Sequence, residues 1–275
     1  MQKIDRLGWT AGLSFTSFGV RMGVRANSED ALERALLRLP AGWKPSRSNV
    51  VERLYSLADG GGMNRRGVRR FSLLFGDITR LARSLDTEEV FDTFESDLRL
   101  HVAARARGRA FVHAGVVGWN DKAILIPGRS MSGKTTLVAE LVRAGATYYS
   151  DEFAVLDERG RVHPFPKPLA MRKRGALKQT NYEVEHFGGS NGVKPLPVAL
   201  VVVCRYGARK RWRPRRLTAG EGMLALLDNA VSARREPEKA LSALREVVLR
   251  APVLKGVRGE ASETAEMVLR SLDAK

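Results

Sequence analysis

The chain has a single cysteine, Cys204, at the end of the apolar run Val198 to Val203. No internal disulfide can form, and the thiol is expected to pack as a small hydrophobe, in keeping with a reducing cytoplasm. Long apolar runs are missing too: none approaches the roughly 18 residues of a membrane span, which predicts a soluble protein with no membrane partner. Asp5 and Arg6 precede any apolar stretch, and Thr and Ser interrupt Gly8 to Val20, so the apolar core of a signal peptide is not found either. Internal repeats are absent. Acidic residues are scarce: 30 Asp plus Glu face 47 Lys plus Arg, for a net charge of +17. Such a surplus attracts polyanions, among them nucleotides, acidic peptides, nucleic acid and anionic lipid, and does not choose among them. An arginine-rich solvated surface produces the same balance.

What is present is enough for one substantial core and a smaller second one: 275 residues, 44% apolar. Residues 13–24 read as a strand, Ser28 to Arg38 as an amphipathic helix, and Val50 to Leu57 and Phe71 to Phe75 as strands that Ile78 to Ala82 can join. Between them lie Gly60 to Gly62 and the basic cluster Arg65, Arg66, Arg69 and Arg70. Asp86 with Glu89 has the capping-box spacing, and predicts a helix through Val90, Phe91, Phe94 and Leu98 that ends near Gly108. Residues 1–107 are expected to form a small α+β domain.

From Phe111 the texture changes to short apolar strands: Phe111 to Val117, Ala123 to Ile126, Ala146 to Tyr149, Phe153 to Leu156 and Val198 to Cys204. Asp157 to Gly160 reads as a hairpin turn, His163 to Pro168 is too rich in proline for regular structure, and Arg172 to Pro197 is expected to be a mobile loop. The C-terminal part reads as helical, with a capping box at Thr218 and Glu221, Pro237 in a first turn, and an amphipathic Ala261 to Leu272. These helices are expected to pack on the sheet or on another subunit.

The chemistry lies between the second and third of those strands. After Ala123 to Ile126 come Gly128, Arg129, Ser130, Met131, Ser132, Gly133, Lys134 and Thr135, then a helix carrying Leu137, Val138, Leu141 and Val142. This is strand, G-x-x-x-x-G-K-T, helix, a phosphate-binding loop. Chance gives the bare pattern on the order of once per hundred chains of this length, and the flanking elements narrow it further. Gly128 and Gly133 let successive N–H groups face an anion, and the following helix turns its positive end to it. Lys134 then meets the β and γ phosphates and the Thr135 hydroxyl ligates Mg²⁺, with Thr136 completing the nucleotide-binding set. Gly145 closes the helix. The expected ligand is ATP or a related nucleotide with Mg²⁺.

Seventeen residues after Lys134 stand Asp151 and Glu152, just past a short strand. In an open α/β sheet that puts them at the same edge as the loop, where one carboxylate can hold the metal and the other accept a proton from an attacking hydroxyl. A surface acidic pair has the same spacing. His113, in Phe-Val-His-Ala-Gly, is equally ambiguous, since a lone histidine in an apolar strand is more often a satisfied core residue.

The block from Phe111 to Leu156 resembles the C-terminal domain of bacterial HPr kinase/phosphorylase and its relatives. The likeness rests on His113-Ala114, the strand Ala123 to Ile126, the loop Gly128 to Thr135 and the pair Asp151-Glu152, and continues weakly from Phe165 onward. It implies a P-loop kinase core over residues 108–275, of the type shared with phosphoenolpyruvate carboxykinases, a mixed sheet with flanking helices that differs from the Rossmann-type P-loop fold. It further implies that Lys134 binds phosphate, Thr135 binds Mg²⁺, Asp151 is the general base and His113 sits beside the transferring phosphoryl group. There are departures. The family usually has Asp where Glu152 stands, and its Glu-x-Arg-Gly signature is only faintly echoed by Arg172, Lys173, Arg174 and Gly175, so phosphorolysis is not carried over. Residues 1–107 do not match the family's N-terminal domain.

Three functions fit these residues. The first is a kinase acting on a hydroxyl, serine in a protein or peptide, or a small molecule, with Asp151, Lys134 and His113 as the catalytic set and Thr135, Asp151 and Glu152 at the metal. The second is a non-catalytic module that uses nucleotide to order a partner-binding loop. The third, and least supported, is nucleic-acid binding through Arg209, Lys210, Arg211, Trp212, Arg213, Arg215 and Arg216, where phosphate attraction and base stacking would combine.

Overall fold

The computed structural model describes residues 3–61, 70–128, 132–172 and 179–273. By its internal contacts the chain divides into two compact units, Met1–Arg107 and Gly108–Lys275.

In the first unit, strands β1 (Ala11–Ser17) and β2 (Val20–Ala26) are joined by Phe18 and Gly19, both at positive φ (46° and 79°), the signature of a type I′ hairpin turn. The single strand expected over 13–24 is therefore two. The alternation runs straight through the turn because Phe18 is not a turn residue by composition. Helix α1 (Glu29–Leu36) starts where the Ser28 hydroxyl accepts the Ala31 N–H. Strands β3 (Lys44–Ser46), β4 (Arg53–Ala58), β5 (Ser72–Gly76) and β6 (Thr79–Ser84) complete a sheet in the order β3-β1-β2-β4-β5-β6, in which only β2 and β4 run parallel. Helix α2 (Thr87–Arg105) is capped by the Asp86 carboxylate on the Glu88 N–H at 3.1 Å. Both helices cover one face of the sheet. There Tyr55 meets Phe94 edge-on at 5.2 Å, and Met22, Val24, Leu57, Leu74, Phe91 and Leu98 are buried.

The second unit is built on β7 (Ala110–Trp119) and β8 (Lys122–Pro127), a hairpin whose turn residues Asn120 and Asp121 again have positive φ. Helix α3 (Lys134–Arg143) follows. It ends in paired bonds from Gly145 N–H to the Val142 carbonyl and from Ala146 N–H to Leu141, with Gly145 at φ +99°, a Schellman close that only glycine accepts cheaply. Then come β9 (Thr147–Ser150), β10 (Phe153–Leu156), β11 (Arg161–His163), β12 (Leu169–Arg172), β13 (Gln179–Tyr182), β14 (Leu196–Tyr206), β15 (Arg215–Arg216), α4 (Ala219–Leu227), α5 (Pro237–Arg250), β16 (Val253–Arg258) and α6 (Ala261–Asp273). The main sheet runs β11-β10-β7-β8-β14-β16-β15, with β9 also on β7 and β11 returning to pair with β14. It is mixed: β8, β14 and β16 are parallel, and β7 is antiparallel to its neighbours.

Helices cover both faces of this sheet, which is why its strands are apolar on both sides. Val116 and Leu125 face Leu226, Leu244 and Val247 from α4 and α5, while Val117, Ile124 and Ile126 face Leu137, Leu141 and Val268 from α3 and α6. Truncating a fully buried leucine here, such as Leu137→Ala, would cost roughly 2–5 kcal/mol.

Three expectations need correction. The C-terminal part is not all helical, because β16 lies between α5 and α6 and is the parallel partner of β14. Pro252, Lys255 and Gly256 break the alternation that would have revealed it. Gln179 to Pro197 is not an unstructured loop: β13 pairs with β12, Tyr182 stacks on His186 at 4.6 Å, and Val184 and Phe187 are buried. Finally, Trp212 is packed against the α6 core at 6% exposure, so the basic segment around it offers no indole for stacking on bases. Its neighbour Arg215 is paired with Glu221, the carboxylate of the α4 capping box. The Arg65, Arg66 and Arg69 cluster lies outside the described residues.

Candidate functional site

The start of α3 is where the motif meets the fold. Gly133 is its N-cap residue at φ +84°, a conformation that leaves the first-turn N–H groups without a side-chain cap. At the other end of the motif the Gly128 N–H donates to the His113 carbonyl at 3.1 Å, which fastens the loop's origin to β7. A side chain at Gly128 would stand 2.9 Å from Ser132 Oγ, a buried hydroxyl with no hydrogen-bond partner among the described residues. Arg129, Ser130 and Met131 lie outside the described residues.

A cleft of about 360 Å³ opens beside this helix end, lined by His113, Gly133, Lys134, Thr135, Thr136, Asp151, Glu152, Lys167, Ala170, Met171 and Gln179. It brings together both carboxylates, the histidine and the end of the motif. Lys134 is 6% exposed. Burial pulls its ammonium below the usual lysine range, and the negative charges of Asp151 and Glu152 oppose that pull. The Thr135 hydroxyl donates to Asp151 Oδ2 at 3.1 Å, and the Tyr148 hydroxyl lies 3.2 Å from Oδ1. Burial pushes the Asp151 carboxyl up, opposed mainly by the charge of Lys167. A carboxyl so placed is a proton acceptor of raised basicity. His113 is held down to about 4, first by burial and then by the Lys134 charge, so it is neutral at physiological pH.

The acidic pair reaches the site by a route the sequence conceals. β9 ends at Ser150, just before the acids as expected, but the chain continues along β7, with Val116 opposite Ser150 and His113 opposite Phe153. Between them the pairing keeps one register, and the Ala114 N–H bonds to the Glu152 carbonyl at 3.1 Å; the register shift lies just ahead, between Tyr148 and Ser150. Asp151 and Glu152 therefore sit in a two-residue break between β9 and β10, both paired to β7, and not past the edge of an open sheet. The slip ahead of them is of the kind that commonly re-aims side chains at sites. Here Asp151 turns to Thr135, while Glu152 meets the Lys167 ammonium at 3.2 Å.

The reading of the residues missed three groups. Lys167 sits in the proline-rich stretch set aside as irregular, and its position between Pro166 and Pro168 was the available signal. Tyr148 looked like a core aromatic. Arg258, at 3% exposure, donates to the Gly133 carbonyl at 3.0 Å and to the Gly259 carbonyl at 2.9 Å, from a strand that had not been foreseen. It braces the N-cap from behind, beside Cys204, whose thiol burial pushes up while the Arg258 charge opposes the shift.

These residues suit a nucleotide with Mg²⁺. The helix end and Lys134 fit phosphate oxygens. Thr135 Oγ1 and Asp151 Oδ2, already 3.1 Å apart, fit the hydroxyl and carboxylate of a Mg²⁺ shell that phosphate oxygens and water would complete. Among the described residues no three His, Cys, Asp or Glu side chains gather as a cage, and a shell of this kind needs none.

No family model matches the chain, and no curated protein matches it. Among solved structures it is similar to the HPr(Ser) kinase/phosphatase from Coxiella burnetii, at 13% identity and a TM-score of 0.34, over 60% of this chain and 96% of that one. No helix of the described residues is long and apolar enough to cross a membrane.

Proposed function

We propose that the second unit is a Mg²⁺-assisted, ATP-dependent phosphotransferase acting on a hydroxyl, with serine of a protein or peptide as the favoured acceptor and a small molecule as the alternative. The observation that carries this reading is the contact between Thr135 and Asp151 at the N-terminus of α3, in one cleft with Lys134. A phosphate-binding loop alone would serve a non-catalytic module equally well. A buried carboxylate of raised basicity beside the metal-binding hydroxyl supports the catalytic reading, because a proton acceptor in that place is of use when a hydroxyl is to be deprotonated.

In this reading the N–H groups of α3 and the Lys134 ammonium hold the phosphates and oppose the charge that develops on the transferring group. Mg²⁺, when bound through Thr135 and Asp151, supplies further neutralisation of that charge. Asp151 takes the acceptor's hydroxyl proton, and Tyr148 and Thr135 orient its two oxygens. Neutral His113 stands by as a hydrogen-bonding group. Glu152, engaged with Lys167, is assigned no metal contact.

The test is thermal unfolding with and without Mg²⁺ and ATP, on the wild type and on Lys134→Ala. Ligand at 100 times its dissociation constant adds roughly 2.7 kcal/mol, a rise of several degrees for a chain of this size. The rise is expected in the wild type and not in the variant. Transfer of label from γ-labelled ATP to a serine peptide array then separates catalysis from binding; stabilisation without transfer to any peptide or metabolite pool would favour the non-catalytic module.

A further inference from the structure

The ammonium of Lys167 has no place in the mechanism above, although the cleft is built to hold it. Pro166 and Pro168 fix the backbone on either side. The Lys167 carbonyl accepts the Tyr148 hydroxyl at 2.9 Å, and that hydroxyl also stands 3.2 Å from Asp151. The segment carrying Lys167 is thereby tied to the residue that orients the proposed base. Its ammonium lies 3.2 Å from Glu152 Oε2, with the side chain 21% exposed, and lines the same cleft as Lys134, Thr135 and Asp151.

A structural brace is the simplest account of a lysine–glutamate contact, but a largely buried ion pair is weak evidence for a stabilising role and needs no anchored backbone. The place of this one says more. Lys134 and the N-terminus of α3 serve the phosphates that the loop encloses. Lys167 stands on the side of Asp151 and Glu152, where an acceptor hydroxyl would have to enter and where the last phosphoryl group of a bound nucleotide would end. That group carries the most charge, and of the two carboxylates lining that side of the cleft only Asp151 is given to Mg²⁺ in the proposed reading. Lys167 is a further cation for that end, beside Lys134 and the Mg²⁺ of the proposed reading.

We infer that Lys167 is the residue through which this site tells a nucleoside triphosphate from a diphosphate: its ammonium contacts the terminal phosphoryl oxygens, and Glu152 holds it in position when that group is absent. The inference rests on the nucleotide-binding reading of the cleft. Removing the contact weakens only the ligand that has the third phosphate, by roughly tenfold to a hundredfold, the range for a charge-assisted hydrogen bond.

Calorimetric titration with Mg²⁺-ATP and with Mg²⁺-ADP, on the wild type, Lys167→Met and Glu152→Gln, tests it. Lys167→Met is expected to lose at least tenfold in ATP affinity and to stay within twofold of wild type for ADP. Glu152→Gln is expected to keep the preference for ATP, since the cation remains. Equal losses for both nucleotides in Lys167→Met, or no loss in either, overturn the inference, as does a Glu152→Gln protein that loses the preference. A wild type that binds neither nucleotide overturns the nucleotide site itself, and the inference with it, before any variant is made.

Discussion

Each unit has an aspartate on its core side held by a tyrosine, and the two are treated differently. In the first unit Asp97 receives Arg53 through both oxygens, at 2.9 and 3.0 Å, and the Tyr55 hydroxyl at 3.2 Å. Its charge is answered by a guanidinium within bonding distance, and the Tyr55 phenol is pushed up, first by burial and then by that carboxylate. In the second unit Asp151 is more deeply buried and takes hydroxyls, from Thr135 and Tyr148, while the nearby ammonium of Lys167 is directed to Glu152. A carboxylate closed off by arginine is spent on stability. One left to hydroxyls keeps its basicity for another purpose.

That contrast can be broken most decisively at the two aspartates. Asp151→Asn is expected to reduce phosphoryl transfer by on the order of a thousandfold, the general-base contribution, while the fold is kept. The sign for stability follows from the raised carboxyl. The folded state holds that proton more tightly than the unfolded chain, so the wild type is penalised as pH rises above the usual carboxylate range. Asp151→Asn should therefore gain melting temperature relative to wild type at pH 8, and the gain should shrink as the buffer is taken down through the carboxylate range. Arg53→Met should do the reverse, losing about 1–3 kcal/mol in a denaturant melt as Asp97 loses its paired bonds, with transfer by the folded protein unchanged. A transfer defect in Arg53→Met that persists after correction for folding would remove the distinction.

Arg258 sharpens the comparison, because it is a buried arginine that serves a site. Arg258→Met leaves the stem and removes the bonds to Gly133 and Gly259. It should cost about 2 kcal/mol in stability and also weaken nucleotide binding, a pairing of effects that Arg53→Met should not show by the same titration.

The smallest effect distinguishes two histidines. His101 in α2 and His113 in β7 are both brought down to about 4 from 6.5 by burial, helped in the one by Arg53 and in the other by Lys134. Both stay neutral in the fold while the unfolded chain takes up protons, so each makes the protein less stable as pH falls from about 6.5 toward 4. Nucleotide should separate them. Phosphate against Lys134 cancels the charge that depresses His113, whose proton NMR titration should move upward with Mg²⁺-ATP, and the His101 curve should stay where it is.

Much of this was open to inspection in the chain, and what was hidden had physical causes. The motif at Gly128 to Thr135 and the acids at Asp151 and Glu152 are close in sequence, so local spacing could reveal that they belong together. The cap at Asp86, the capping box at Thr218 and Glu221, and Pro237 marked helix starts for the same reason: they are local hydrogen-bond chemistry. The route of the acids was not legible, because a register shift opposite Val116 and Val117 leaves no compositional trace. Lys167 was masked by prolines, which signal irregular backbone whether or not the backbone is functional. Arg258 needed β16, and β16 needed its partner β14, a pairing between segments about fifty residues apart.

The hold of Arg258 on the Gly133 carbonyl spans 125 residues of sequence. A polypeptide leaving the ribosome has its phosphate loop long before it has the arginine that fixes the loop's helix, and the strand bearing that arginine can dock only on a sheet already assembled. On the proposed function, nucleotide capture is tied to the order of synthesis: a growing chain has the motif before it has β16, the strand that carries the brace and slots in beside β14. Premature termination between residues 135 and 258 leaves a chain with the motif intact and its brace missing.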